Sequence, residues 1–364
     1  MRYCLLDRCC SLIFHSSGPG GRSRVSLDDV SKPRRLDQPV KRPLSQPVPF
    51  EGEDGLFTQS WYPICLSSAA TSSFVRGFDF LDGRVIVFRD KEGKAHVMSA
   101  YCPHLGADLS VGDMVDGQVR CVFHHWRYGP DGRCSGMPSN DPIPPTARLF
   151  EFPTCEKYGL VWAYNGTDPH YQLPDFPYPD DELVYKIKTF GEEIPADPWI
   201  LCANTPDMQH IRYLHGIVIN GDNPHDGVEW TDHSMYYEFE GTHVTGDPVK
   251  HRIGIVGTSM YFQSTDFAGR WFGFVSPFSL NRPGRSTVFI VVCARKDMGT
   301  PEEIDKYLEF VAELETRVVL DDLVNMQTIH FKPGTLTRSD TTLGRFFNYM
   351  RDFPRAHPSA EFIR

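Results

Sequence analysis

The chain has 364 residues, 40% of them hydrophobic, and a formal net charge of −10. That length supports two domains with cores of their own, and the acidic balance excludes nucleic acid as the main partner. No apolar run reaches the length that spans a bilayer, and ten cysteines without framework spacing point to a reducing, cytoplasmic compartment rather than to disulfides.

Residues 1–48 read as a disordered N-terminal extension, rich in Ser, Arg, Pro and Gly and without periodicity. The Arg- and Ser-rich start leaves an organelle transit peptide as the alternative, while Leu12-Ile13-Phe14 is too short for a secretory core. From Phe57 short strands alternate with turns. Arg84 to Phe88 is a buried strand, Asp90 to Gly93 a turn, and Ala95 to Ala100 leads into a first loop. Asp116-Gly117 turns the chain into Val119 and Arg120, which carry a second loop, and Asp131-Gly132 signals a hairpin. Gly159 to Tyr164 closes this set, so residues 57–165 form a small all-β domain that holds two loops at one end.

The loops carry Cys102-Pro103-His104 and Cys121-Val122-Phe123-His124, with sixteen residues between them. One thiolate and one imidazole from each loop can grip one compact inorganic centre. Zinc accepts two Cys and two His, but its fingers use Cys-x-x-Cys and His-x-x-x-His pairs rather than interleaved ones. Cys-x-His with Cys-x-x-His fits a Rieske [2Fe-2S] cluster, in which two imidazoles share one iron and two thiolates hold the other. With Leu105-Gly106-Ala107 after the first loop and Trp126-Arg127-Tyr128-Gly129 after the second, the stretch resembles the Rieske signature. Val122 stands where that signature has proline, and His125 where it has glycine or alanine. A fifth ligand at His125 is superfluous to a complete set of four.

Pro169 to Pro179 reads as a linker into a second domain, residues 166–364. There Asp207-Met208-Gln209-His210 is followed by Tyr213-Leu214-His215 on a helix that starts near Pro206. His210 and His215 are five apart, so they reach one metal only if the helix kinks, widens or ends near Tyr213. Strands are expected over Ser234–Glu240, Thr258–Gln263, Trp271–Val275 and Ser286–Ala294. They form a curved antiparallel sheet which, packed by helices, would enclose a cavity, with Trp199, Phe262, Trp271, Phe272 and Phe278 as its candidate lining. His225, His233, His243 and His251 lie in polar surroundings, and His330 has no assignable role. A long helix begins at Pro301 with apolar residues at Ile304, Leu308, Val311 and Val318. Asp322 falls in the middle of that stripe, where a lone carboxylate must be paired or bind metal; Glu315 is the runner-up.

From about Phe57 onward the chain resembles the oxygenase (alpha) component of Rieske non-haem iron oxygenases, and Asp-x-x-His-x-x-x-x-His resembles their iron motif. The resemblance implies an α+β chain in which Cys102, His104, Cys121 and His124 bind the cluster and His210, His215 and Asp322 bind a mononuclear Fe(II). Asp207 corresponds to the carboxylate that bridges an iron-bound histidine to a cluster histidine, usually across subunits of a ring-shaped homotrimer. A reductase or ferredoxin fed by NAD(P)H would supply electrons, and O₂ would be the co-substrate. The details of both motifs look closer to hydroxylases and desaturases of sterols and other polycyclic molecules. Monooxygenation of a small apolar substrate, aromatic or polycyclic, is therefore expected over cis-dihydroxylation or oxidative demethylation. A Rieske electron carrier without oxygenase activity is the rival of another class.

Overall fold

The computed structural model describes residues 47–364 apart from 217, 220–222, 243–247, 327 and 330–334, with backbone only at 218, 219 and 242. The expected N-terminal extension thus lies outside the described residues as far as 46, as do His243 and His330. Val48, the last residue assigned to that extension, is 3% exposed and packs into the largest core.

Three small antiparallel sheets build the first half. Trp61–Leu66 pairs with Leu160–Tyr164, which pairs with Thr154–Lys157. Arg76–Phe80, Gly83–Arg89 and Ala95–Ser99 form a meander closed by Glu151–Phe152. The third sheet runs Asp113–Val115, Gln118–Arg120, Arg127–Tyr128, Cys134–Gly136. The turn at Asp116-Gly117 has φ of 55° and 76°, the paired left-handed geometry that a two-residue hairpin needs.

The second half is organised on one antiparallel sheet of eight strands. Across it lie Leu183–Thr189, Phe289–Arg295, Arg270–Pro277, Met260–Phe267, Pro248–Val256, Ser234–Thr242 and Val218–Ile219, with Glu229–Trp230 also paired to Ser234–Thr242. Side chains alternate between its faces. One face, with Tyr237, Ile253, Phe274 and Val292, packs in a core shared with helices α1 (Pro198–Cys202), α2 (Met208–Tyr213), α3 (Pro301–Met326) and α4 (Thr341–Asp352). The other, with Phe262, Trp271, Val275 and Val291, packs against Trp61, Leu160 and Trp162 of the first half.

Pro169 to Pro179, expected as a linker, is packed against its neighbours. It adds Leu173 and Phe176 to that second core, and the Tyr171 hydroxyl lies 2.7 Å from Ser60 Oγ. The strand Leu183–Thr189 is an edge, and its lysines blunt it: Lys186 pairs with Asp305 at 2.8 Å and Lys188 with Glu309 at 2.6 Å. Those partners lie on α3, so the same pairs fasten the helix to the sheet. The start of α3 is fixed by a reciprocal cap between Thr300 and Glu303. Among the described residues, no helix is long and apolar enough to cross a membrane.

Candidate metal centres and cavity

The two Cys-His loops fold alike. The carbonyl of Cys102 accepts from Gly106 N at 2.8 Å, and that of Cys121 from His125 N at 3.0 Å. The residue that closes each turn is left-handed, with φ of 75° at Gly106 and 56° at His125. A histidine where only glycine is free of strain costs about 1 kcal/mol. His125 is exposed and is held there by the turn.

Cys102 and Cys121 are buried, while His104 and His124 stand exposed at the tip. The two imidazole Nδ1 atoms face each other 3.1 Å apart, and the His104 ring stacks on Trp126 at 4.6 Å. Burial raises the Cys102 thiol, and the buried Tyr128 hydroxyl lies 3.0 Å from its sulfur. Two thiols behind two facing imidazoles make a donor set that fits a two-iron cluster with one iron on each pair.

In the second half, His210, His215 and Asp322 come together. One ligand atom from each lies within 4.8 Å of the others. Asp322 Oδ1 is 2.9 Å from His215 Nε2 and 4.0 Å from His210 Nε2. Helix α2 ends at Tyr213, so the five-residue spacing is accommodated by the end of the helix. His210 Nδ1 is fixed by the backbone carbonyl of Asp207, which leaves Nε2 to point at Asp322. Burial holds His210 below the ordinary histidine range against the pull of Asp322, which favours the neutral form that ligates metal. The Asp207 carboxylate caps α2, accepting from Gln209 N at 3.1 Å. Three donors half-buried on one side of a cavity fit a divalent iron with positions left open.

That cavity encloses about 360 Å³. Sheet residues 249, 251 and 253, then 261, 263, 265 and 267, then 272, 274 and 276 line it, one face of three adjacent strands, and Phe278 follows just past the last of them. Phe272 and Phe278 belong to it as expected; Trp199, Phe262 and Trp271 do not, the last two because they point to the opposite face. Two polar groups join the lining: His251, which the sequence placed in polar surroundings but which is half-buried on the cavity wall and bonded to Thr265 at 2.7 Å, and Gln263, which had no expected role and holds Glu315. Their signal was the weak alternation of Lys250-His251-Arg252-Ile253 and Tyr261-Phe262-Gln263, too short to fix which face is buried. His225 bonds Thr342 at 2.8 Å, and His233 stacks on Tyr171 at 5.0 Å.

Residues 60–153 match the family model of the Rieske [2Fe-2S] domain. Over 212 residues the chain is 31% identical to cholesterol 7-desaturase nvd of Xenopus laevis, covering 54% of this chain and 41% of that protein. It is 29% identical over 172 residues to the oxygenase component of 3-ketosteroid-9-alpha-monooxygenase of Rhodococcus rhodochrous, covering 44% of this chain and 43% of that protein. The chain thus spans less than half the length of these relatives. Its fold is that of NdmA of Pseudomonas putida CBB5 with caffeine, at TM-score 0.64 and 15% identity over 81% of this chain and 90% of that one. Dicamba monooxygenase bound to dicamba gives TM-score 0.58 at 18% identity over 81% and 97%. A Rieske domain followed by a sheet-rich α+β half defines the class. The chain carries a Rieske [2Fe-2S] domain and is similar over part of its length to Rieske oxygenases.

Proposed function

We propose that the chain is the oxygenase component of a Rieske non-haem iron system that monooxygenates a small, largely apolar aromatic or polycyclic substrate. The observation that carries this is the convergence of His210, His215 and Asp322 on a cavity in a chain that also bears a Rieske domain. Residues 57–165 serve as the cluster-binding part and 166–364 as the catalytic part. Cys102, His104, Cys121 and His124 would hold the [2Fe-2S] cluster, and His210, His215 and Asp322 a mononuclear Fe(II). When bound, the first supplies single electrons and the second a site for O₂.

The chain's own residues do the rest. The backbone of Asp207 fixes the tautomer of His210, as outer partners of metal-bound histidines do. Its carboxylate, at the start of α2, is assigned as the bridge toward a cluster histidine of a neighbouring subunit in a homotrimer. Leu105, Val122 and Phe123 form an exposed apolar rim beside His104 and His124. Such a rim suits docking of an electron donor, a reductase or ferredoxin drawing on NAD(P)H. The cavity wall, with Ile253, Phe272, Phe274 and Val318, excludes water and favours an apolar guest. The names of two relatives, a cholesterol desaturase and a ketosteroid monooxygenase, support a polycyclic one.

Iron and acid-labile sulfide analysis tests this. An oxygenase should hold about three irons per two sulfides, an electron carrier about two. Asp322→Ala should lose the additional iron and keep the visible cluster spectrum. Iron kept there but lost in Glu315→Ala would move the carboxylate ligand to Glu315. With NADH and a surrogate reductase, hydroxylated product from a polycyclic substrate completes the test.

A further inference from the structure

Glu315 lies on the cavity wall, on the same face of α3 as Asp322 and seven residues before it, about two turns or roughly 10 Å along the helix. It is 5% exposed. One carboxyl oxygen, Oε1, accepts from Gln263 Nε2 at 3.0 Å, and Gln263 Oε1 in turn accepts from the Tyr261 hydroxyl at 2.5 Å. Among the described residues, the second oxygen, Oε2, has no hydrogen-bond partner. A buried carboxyl without a counter-ion is costly unless it is protonated or partnered. Burial does push it up, to about 8. The Tyr261–Gln263–Glu315 chain orients the group and leaves one oxygen for a guest, two helical turns from Asp322 in a mostly apolar cavity.

We infer that Glu315 is a substrate-positioning residue that receives an uncharged oxygen function, keto or hydroxyl, of a polycyclic molecule whose opposite end is presented to His210, His215 and Asp322. This rests on the oxygenase assignment for what happens at that opposite end, but the binding preference stands on the cavity alone. A neutral carboxyl donates to a ketone and both donates to and accepts from an alcohol. One such bond in an apolar enclosure is worth about tenfold in affinity.

The test uses anaerobic full-length protein with its cluster, and three probes of one skeleton: the hydrocarbon androstane, its ring-A ketone and the corresponding ring-A amine. Equilibrium binding should show the ketone about tenfold tighter than the hydrocarbon, with the amine no better than the hydrocarbon. Glu315→Leu should bring the ketone-to-hydrocarbon ratio to about one while hydrocarbon binding persists, and Glu315→Gln should keep most of the preference. A ketone preference that survives in Glu315→Leu overturns the inference, as does a wild-type protein that favours the amine, ignores the keto group or binds none of the three. If Glu315→Leu does not fold, the wild-type ratios and Glu315→Gln decide. A ketone preference in protein that never holds mononuclear iron would sink the oxygenase and leave the anchor; turnover without the preference would do the reverse.

Discussion

The amide of His215 reaches back to the carbonyl of His210 at 3.4 Å, across a turn one residue wider than an α-turn. On a regular helix, residues five apart point roughly 140° away from each other. Here Leu214 N also bonds that carbonyl at 2.7 Å, the helix stops, and the two rings sit 5.2 Å apart at 83°. The end of α2 is therefore the device that turns a poor helical spacing into a pair of convergent ligands.

Gly216 completes that turn with φ of 68°. A side chain there pays about 1 kcal/mol for the left-handed backbone and swings His215. Gly216→Ala should weaken ferrous iron binding by about tenfold or more and leave the visible cluster spectrum unchanged. Wild-type iron affinity in that variant would mean that His215 is placed by its packing rather than by the turn.

Asp207 offers two separable roles. Its carboxylate caps α2 through Gln209 N, and its carbonyl holds His210. Asparagine caps a helix about as well as aspartate, while alanine loses about 1 kcal/mol. Asp207→Asn should thus retain both metal contents and thermal stability but slow electron transfer from cluster to iron in single-turnover experiments. Asp207→Ala should slow it too, and lower stability. Unchanged transfer in Asp207→Asn would confine the residue to capping.

The cluster loops were legible because their ligands are local: each pair lies within four residues, and the flanking strands announce themselves by Asp-Gly turns. Helix α3 was legible by its period, and with it Asp322 on the inner stripe. The cavity wall was not. Which of Phe262 and Gln263, or Trp271 and Phe272, faces inward is a parity that only the assembled sheet fixes, because a one-residue slip moves every side chain to the other face. The aromatic content of both strands concealed that choice, since this sheet buries both faces. The prolines of Pro169 to Pro179 mark a connection without regular structure, but they do not reveal that Leu173 and Phe176 bury apolar surface along it.

Tyr128 is fully buried with its hydroxyl 3.0 Å from Cys102 Sγ. Donation to a sulfur that bears cluster charge favours the reduced state, which is the more negative. Tyr128→Phe keeps the ring and removes only the donor. The cluster potential should fall by tens of millivolts, a factor of about ten in the one-electron equilibrium being 59 mV. Redox titration followed by the visible spectrum reads it; an unaltered potential would show that the hydroxyl does not donate to that sulfur.

Glu51 is buried beneath Thr58 and Arg355. It accepts from Thr58 N at 2.9 Å and from Thr58 Oγ1 at 2.7 Å, and lies 3.4 Å from Arg355. Burial raises its carboxyl from the ordinary 4.5 to about 7; Arg355 and Thr58 oppose the rise and the neighbouring Asp197 adds to it. Between those two values the folded chain holds a proton that the unfolded chain has released. Stability from this group is therefore complete below about pH 4.5, declines as pH rises through about 7, and is flat above. At about 1.4 kcal/mol per pH unit the loss is on the order of 3 kcal/mol. Glu51→Gln keeps an acceptor for Thr58 but cannot titrate. Its unfolding free energy should fall less than that of the wild type as pH goes from acid to mildly alkaline. Parallel pH profiles for the two proteins would mean that Glu51 stays ionised across the range, with Arg355 outweighing its burial.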